Sequence, residues 1–399
     1  MRVLFCIFIT VIFGNAGFIE RFTKPENCKS CHDEQFSAWK TSLHSLSHEK
    51  NNELYEKSVR FVALEASKGH AEVLVSCSNC HNPRLEIKEV DDVYTIAKAF
   101  DLKTQKTEKI DEALGVEHIQ NGISCYICHN VDSIKAKSSQ NQVGYKNFKW
   151  TEDDTIVGPY EDPDNRAGFH KSSQRDFFVD GNDLCLSCHQ GTALNNPLAI
   201  YNTGDEHLQS GDTQRCVDCH MKPTTKGIIS PHSKPETAKA RGLRAHLFAG
   251  VRNSSELLND SLKIDLKKIA QNKVNLNVLN LTSHNLPSGF SGRNITIIVT
   301  FFDNSAKELK SQSINFEKIY HNKLEVITLS YTADKLISDT TLKAYEDRNI
   351  EIDIPLHTSS AKVEVLYYVL SPKLQERIIV KDEKYTKPYQ IYKATFSLN

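Results

Sequence analysis

The sequence repeats one short pattern of reactive residues, Cys-x-x-Cys-His, five times. In chain order the motifs are the first (Cys28, Cys31, His32), second (Cys77, Cys80, His81), third (Cys125, Cys128, His129), fourth (Cys185, Cys188, His189) and fifth (Cys216, Cys219, His220). Two thiols at this spacing can add to the two vinyl groups of one porphyrin, and the adjoining imidazole then reaches the iron as the proximal ligand. The motifs therefore predict five covalently bound c-type haems.

Zinc is the alternative cofactor, because Cys-x-x-Cys pairs also occur in zinc ribbons and knuckles. The chain has 16 His in 399 residues, so a His follows a given pair by chance about 4% of the time. Five such coincidences have a combined chance of roughly one in ten million, which favours haem strongly.

The first residues predict export. Met1 and Arg2 precede a mostly apolar run over residues 3–13, and small residues follow at 14–17. This is typical of a signal peptide, here residues 1–17, with the mature chain beginning near Phe18. An uncleaved membrane anchor is the alternative. Cys6 would leave with the signal, and every other cysteine belongs to a motif. We therefore expect the bacterial periplasm, or a membrane-anchored protein that faces it.

Composition narrows the range of partners. The formal net charge is −1, and no basic arm or stripe is present, so nucleic-acid binding is not expected. Haem propionates would add further negative charge. A chain of 399 residues with 39% hydrophobic content is typical of two domains.

The motifs all lie before residue 221, which predicts a pentahaem cytochrome c domain over residues 18–250. Apolar residues at helical spacing over 34–48 and 53–68 predict short helices there, with loops between them. The haems must supply much of the core, because the intervening segments are mostly polar. Residues 251–270 are predicted to be a connecting helix.

Beyond about residue 270 the pattern changes to strict alternation. Residues 274–278 and 350–354 alternate apolar and polar side chains, and apolar runs follow at 295–302, 324–331 and 363–370. Period two predicts strands. The predicted fold is thus a mainly α or irregular multihaem domain followed by a small all-β, antiparallel sandwich-like domain over residues 271–399.

Composition also restricts the second iron ligands. Without Met1 the chain retains one methionine, Met221, which directly follows proximal His220 and cannot reach the opposite face of the same haem. Histidines are therefore the expected distal ligands, and the absence of methionine ligation predicts low reduction potentials. Eleven histidines lie outside the motifs: His44, His48, His70, His118, His170, His207, His232, His246, His284, His321 and His357. We expect His321 and His357, in the strand-rich region, to be surface residues.

Four segments resemble a known group of proteins: residues 35–44, 158–170, 244–248 and 284–289. Over roughly residues 25–300 the chain resembles the multihaem cytochromes related to hydroxylamine oxidoreductase and to the tetrahaem cytochrome c that accepts its electrons. The resemblance implies His44, His170 and His246 as distal ligands, followed by His118 and His284. His70, His207 and His232 are further candidates for distal ligands.

Two departures restrict what the resemblance implies. Hydroxylamine oxidoreductase carries eight haems and a tyrosine crosslinked to its catalytic haem, whereas this chain has five motifs. Pentahaem nitrite reductases usually replace one motif histidine by lysine, whereas every motif here ends in histidine. The sequence therefore lacks the signature of hydroxylamine oxidoreductase activity and that of pentahaem nitrite reductase activity.

The predicted function is electron transfer through closely spaced, low-potential bis-histidine haems. The partners would be redox proteins: a quinol-linked membrane dehydrogenase or a periplasmic oxidoreductase as donor, and a terminal reductase as acceptor. The alternative is an enzyme with one open iron that acts on hydroxylamine, nitrite or a sulfur oxyanion, whose catalytic residues the sequence does not indicate. A third hypothesis gives the C-terminal domain a docking or self-association role.

Overall fold

The computed structural model describes residues 20–398 except 136–142, 164–167, 193–197, 232–237, 252 and 254. The predicted signal segment, Cys6 and His232 lie outside the described residues. No described helix combines the length and apolar character needed to cross a membrane.

The helices are mostly short. They are α1 Glu26–Lys29, α2 Asp33–Lys40, α3 Glu53–Glu65, α4 His70–His81, α5 Asp92–Ala99, α6 Gln105–Gly115, α7 Cys125–Cys128, α8 Asp183–His189, α9 Thr203–Ser210, α10 Cys216–His220, α11 Ser255–Asn259, α12 Pro372–Gln375 and α13 Glu383–Thr386. Single 3₁₀ turns add Glu20–Phe22, His44–Leu46, Glu117–Asn121, Gly144–Asn147 and Asp176–Phe178. The second, fourth and fifth motifs each end a helix, so their cysteines and histidine are held by one short rigid segment.

Four two-stranded pairs connect the motif-bearing helices. Their strands are β1 Val131–Ile134, β2 Phe148–Trp150, β3 Thr155–Gly158, β4 Lys171–Gln174, β5 Gln190–Thr192, β6 Ala199–Asn202, β7 Thr224–Gly227 and β8 Arg241–Arg244. The pairs are β1–β2, β3–β4, β5–β6 and β7–β8. The β3–β4 pair is parallel, and the other three are antiparallel. They bring segments that are distant in the chain against the motifs.

The later strands form two antiparallel sheets. They are β9 Leu262–Ala270, β10 Lys273–Asn280, β11 Asn294–Phe302, β12 Glu308–His321, β13 Ile327–Thr328, β14 Lys335–Asp339, β15 Asp347–Asp353, β16 Ser360–Tyr368 and β17 Tyr389–Ser397. The first sheet has the order β15-β10-β9, and the second has the order β13-β12-β11-β16-β17 with β14 also paired to β12. Alternate side chains of β10, β11 and β16 are fully buried and form one core between the sheets.

The predicted connecting helix over residues 251–270 is wrong for most of its length. The helix α11 spans only Ser255–Asn259, and β9 occupies Leu262–Ala270. Leu262, Ile264 and Leu266 are buried at period two, so this segment completes the first sheet. The run predicted as a strand over 324–331 retains only the two residues of β13.

Helix α3 joins the motif-bearing part to the sheets. Its Leu54 and Phe61 share a core with Leu370 and other side chains beyond residue 325. At its C-terminal end Glu65, 11% exposed, pairs with Arg377 at 2.9 Å. The two parts are therefore packed through apolar side chains and an ion pair, and α3 cannot move without the sheet region.

Candidate haem-binding site

One large cavity runs through the motif-bearing part of the molecule. It has a volume of about 2240 Å³ and is lined by all ten motif cysteines and all five motif histidines. A pocket for one drug-sized ligand has a volume of about 300–1,000 Å³. The cavity therefore has room for several large groups, and their attachment residues face it.

Four motif histidines each face a second imidazole across this cavity. The ring centroids are separated by 6.4 Å for His32 and His170, 6.2 Å for His129 and His246, 6.1 Å for His189 and His44, and 6.4 Å for His220 and His284. With a metal–nitrogen bond of about 2 Å and a ring centroid about 1 Å beyond the nitrogen, two imidazoles on opposite faces of one metal have centroids roughly 6 Å apart. The observed separations fit an iron between each pair.

The proximal rings of three motifs are oriented by backbone carbonyl groups. The Nδ1 atoms of His32, His129 and His220 lie 3.0, 2.6 and 2.9 Å from carbonyl oxygens of residues 229, 157 and 249. A carbonyl oxygen only accepts, so each Nδ1 carries the proton and each Nε2 keeps its lone pair for a metal.

The distal rings follow the same rule. The Nδ1 atoms of His170, His246 and His284 donate to carbonyl oxygens at 2.9, 3.0 and 2.9 Å. Burial lowers the pKa of His44 to about 3, and burial lowers those of His189 and His246 to about 4. The imidazoles are therefore neutral at physiological pH, the form that binds metals.

The second motif differs from the other four. The ring contact of His81 among the described residues is with Tyr55, at 4.3 Å between centroids and 19° between planes. This stack is too close for a metal to lie between the rings. The Nδ1 atom of His81 lies 2.7 Å from the hydroxyl of Ser47. Within the described residues, His81 therefore has no imidazole opposite it.

Three tyrosines surround the thiols of the second motif. Tyr55, Tyr201 and Tyr331 line the cavity, and each interacts electrostatically with Cys77 and Cys80. The hydroxyls of Tyr201 and Tyr331 are hydrogen-bonded to each other. Burial raises the pKa values of all three phenols, so they stay protonated.

Contacts between thiols show which motifs are neighbours. Cys28 lies within hydrogen-bond reach of Cys125, Cys80 of Cys188, and Cys185 of Cys216. Cys128 interacts electrostatically with both cysteines of the fourth motif. The spatial order is therefore first, third, fourth and fifth, and the second motif branches from the fourth.

Comparisons with known proteins agree with this geometry. Residues 27–105 match the family model described as cytochrome c554 and c-prime. The structure is similar to a penta-heme cytochrome c552 from Thermochromatium tepidum, with a TM-score of 0.69, 19% sequence identity and coverage of 93% of this chain and 97% of that one. The chain has the fold of a multihaem c-type cytochrome. The motifs, the matched family and the fold together support covalently bound c-type haem.

Two further solved structures match only a third of this cytochrome. A β-glucuronidase from Bacteroides uniformis matches with a TM-score of 0.17 and 11% identity, covering 35% of this chain and 13% of that one. A structural genomics target, SoR45, matches with a TM-score of 0.17 and 10% identity, covering 35% of this chain and 88% of that one. Among curated proteins, none matches the sequence.

A half-buried arginine in the cavity, Arg293, fits the charge of haem. Arg293 donates from Nη1 to the Ser288 carbonyl oxygen at 2.6 Å, while its buried Nε has no hydrogen-bond partner among the described residues. A guanidinium that lines a cavity without a carboxylate partner is costly. Haem propionates are carboxylates and would supply that partner.

A buried carboxylate holds the loop that carries His284. Glu206 in α9 is 3% exposed, pairs with Lys318 at 3.1 Å and accepts a hydrogen bond from the hydroxyl of Ser288 at 2.5 Å. It also accepts from the backbone amide of Asn285 at 3.3 Å, whose carbonyl orients His284. This network fixes the position of a distal histidine.

The remaining predicted candidates lie elsewhere. His118 lies in the 3₁₀ turn Glu117–Asn121, and Nε2 of His70 donates to the carboxylate of Glu49 at 2.8 Å; neither histidine lines the cavity in the described part of the chain. His207 lines the cavity but makes no ring contact with a motif histidine among the described residues. His321 is 26% exposed beside Glu325, and His357 is in a turn after β15.

Sequence reasoning did not identify Ser47, Tyr55, Tyr201, Tyr331 or Arg293. These residues come from the end of the turn after α2, from α3, from the β5–β6 pair and from the sheet region. No local motif marks them, because their relation to the second motif exists only in three dimensions. The histidine count gave no signal either, because eleven histidines lie outside the motifs and only five distal positions need one.

Proposed function

We propose that this cytochrome is a periplasmic pentahaem electron carrier. Each motif would hold one haem through its two cysteines and its histidine, and the bound haems would supply one-electron redox centres. His170, His246, His44 and His284 would be the distal ligands of the first, third, fourth and fifth motifs. The observation that carries this proposal is the set of four imidazole pairs at 6.1–6.4 Å.

The ligand chemistry supports low reduction potentials. Methionine ligation raises the potential of a haem, and the single methionine beyond the predicted signal follows a motif histidine directly. The chain's own contribution at the first, third and fifth motifs is an imidazole on each face, oriented by a backbone carbonyl.

The neighbour order supports transfer along a continuous path. The first and third motifs are joined by one thiol contact, and the fourth and fifth by another. Closely spaced centres of this kind allow electrons to enter at one end and leave at the other. We propose that the donor is a quinol-linked or periplasmic dehydrogenase and that the acceptor is a terminal reductase.

The main role of the C-terminal sheets would be to complete the haem-binding region. They contribute His284 and Tyr331 to the cavity, and α3 packs against them. Partner docking or self-association through this region is an additional role that deletion would test. A chain cut after Thr300 retains His284 but lacks Tyr331, so haem content, partner binding and self-association can be measured separately.

The test of the carrier proposal uses the purified holoprotein. Mass spectrometry should give the mature chain plus five haems, and a redox titration should place the haem potentials in the low range. Fewer haems, or a potential typical of histidine–methionine ligation, would contradict the proposal.

A second function is favoured by the second motif. Because His81 lacks an opposing imidazole among the described residues, its haem would keep one coordination position for a substrate. We propose that the chain acts there on hydroxylamine, nitrite or a sulfur oxyanion, because such a substrate must coordinate where the sixth ligand would otherwise lie. The buried phenols of Tyr201 and Tyr331, which lie near Cys77 and Cys80, would add protonated hydroxyls to the surroundings of this haem.

Carbon monoxide distinguishes the two functions. If one haem in five is open, the reduced holoprotein should bind one carbon monoxide per chain and turn over at least one of these substrates. If no absorbance changes, all haems have two protein ligands and the carrier function stands alone.

A further inference from the structure

The turn that follows α2 contacts two neighbouring haem sites at once. His44 begins this 3₁₀ turn and faces His189 of the fourth motif, at 6.1 Å between ring centroids. Ser47, the next residue after the turn, lies 2.7 Å from Nδ1 of His81 in the second motif. The two motifs are also joined directly, since the thiols of Cys80 and Cys188 are within hydrogen-bond reach.

The turn is held rigidly. The amides of Ser47 and Ile123 both donate to the carbonyl oxygen of His44, at 3.2 and 2.9 Å. Gly122 packs against it with φ of 59°, and a Cβ there would come within 2.6 Å of the same carbonyl oxygen. Ser47 is 8% exposed. Its hydroxyl is therefore fixed against the imidazole.

The hydrogen-bond partner of His81 differs in kind from those of His32, His129 and His220. Those three proximal rings donate to backbone carbonyls, whereas His81 faces a side-chain hydroxyl. A hydroxyl oxygen carries less negative charge than an amide carbonyl oxygen. The acceptor at Nδ1 sets the basicity of a metal-bound imidazole, so His81 should donate less electron density through Nε2.

We propose that Ser47 is a positioning residue that sets the electron donation of His81 below that of a ring bonded to a backbone carbonyl, and so lets the second-motif haem hold an electron more readily than the haems of the first, third and fifth motifs. The proposal rests on the second function, in which His81 is the sole protein ligand of its haem. Weak donation destabilises the oxidised metal relative to the reduced one. Electrons arriving through the fourth motif would then collect at the branch.

Ring stacking complements this role. Tyr55 lies parallel to His81 at 4.3 Å and fixes the plane of the imidazole, while Ser47 fixes its rotation about the ring normal. The two contacts come from opposite ends of the segment 47–55, so α2, the turn and α3 position one ring together.

The test measures the iron–histidine stretching frequency of the reduced holoprotein by resonance Raman spectroscopy. This band arises from five-coordinate reduced haem and therefore reports the second motif alone. Ser47→Ala removes the acceptor and should lower the frequency and raise the midpoint potential of that haem. Ser47→Asn supplies an amide carbonyl and should shift both quantities the opposite way, while Ser47→Thr should keep both near the wild-type values.

Ser45→Ala is the matched control. Ser45 lies in the same turn and is 4% exposed, but its hydroxyl donates to the backbone carbonyls of Lys40 and Ser42. The control should leave the band unchanged. An unchanged frequency in Ser47→Ala, or an equal shift in Ser45→Ala, would overturn the proposal.

The readout also separates failure of this proposal from failure of the second function. If wild-type protein gives no iron–histidine band and binds no carbon monoxide, the open position does not exist. The role of Ser47 is then decided by the redox titration. If the midpoint potential of one haem shifts in Ser47→Ala and not in Ser45→Ala, the role of Ser47 is retained. If no midpoint potential shifts in Ser47→Ala, that role is refuted.

Discussion

Replacing His246 with alanine should double the carbon monoxide that the reduced protein binds. His246 faces His129 at 6.2 Å between centroids, and its Nδ1 donates to the Arg244 carbonyl at 3.0 Å. The other ring in contact with His129 is that of Phe178, at 5.2 Å, and a phenyl ring cannot bind iron. The third motif would lose the imidazole that faces it.

The magnitude follows from the geometry. Four of the five motif imidazoles face a partner, and His81 faces none among the described residues, so the wild-type protein should bind one carbon monoxide per chain. His246→Ala should bind two, which changes the shifted share of the Soret absorbance from one fifth to two fifths. His284→Ala should also bind two, because it opens the fifth motif.

The assay is a titration of reduced holoprotein with carbon monoxide, normalised to haem content. His118→Ala is the control, because His118 does not line the cavity in the described residues. A count of one in His246→Ala would show that His246 is not a ligand. A wild-type count of zero would show that the second motif has a distal ligand that the described residues do not provide, and two in the control would refute the assignment of ligands.

Three further predictions concern stability. Glu206→Ala leaves the largely buried ammonium of Lys318 without its carboxylate partner. It should lower the free energy of unfolding, measured in urea, by about 3–5 kcal/mol. The double variant Glu206→Gln, Lys318→Met should lose less. Leu370→Ala, at a fully buried contact of the sheets with α3, should cost about 2–5 kcal/mol by the same measurement, and an unchanged midpoint would contradict the packing. Hydrogen bonding to Lys362 lowers the pKa of Glu364, whose side chain is 19% exposed. The ionised carboxylate should therefore stabilise the folded protein by at most about 1 kcal/mol. This stabilisation is complete above the unfolded pKa of about 4.3 and is lost as pH falls through the lower folded pKa. The stability difference between wild type and Glu364→Gln should therefore be largest at pH 7 and vanish at pH 2; a constant difference would refute this.

The attachment residues could be predicted because each motif is local. Two thiols and an imidazole within five residues need only one short helix to act on one porphyrin. The facing imidazoles are not local, and the sequence offered more histidines than positions. The structure brings His44, His170, His246 and His284 to the cavity and places His118 outside it, a difference that depends on packing rather than on spacing.

The strands were predictable wherever alternation was clear, as in β10 and β15. The segment over Leu262–Ala270 was assigned to a helix, although its apolar residues recur at every second position before Lys267. Its lysines and mixed composition suit either structure, and pairing with β10 decides between them. The sequence pattern does not mark the long β12, because only three of its fourteen residues are buried and its apolar residues are sparse.

The cavity wall joins residues from both ends of the chain, and this sets an order of events during biogenesis. Tyr331 lies beside Cys77, and Glu65 pairs with Arg377, so the wall closes only after most of the polypeptide has emerged. Contacts between such distant residues form late, because the long loop between them must close first. A haem joined to the second motif would therefore have to enter before the last sheet closes this wall.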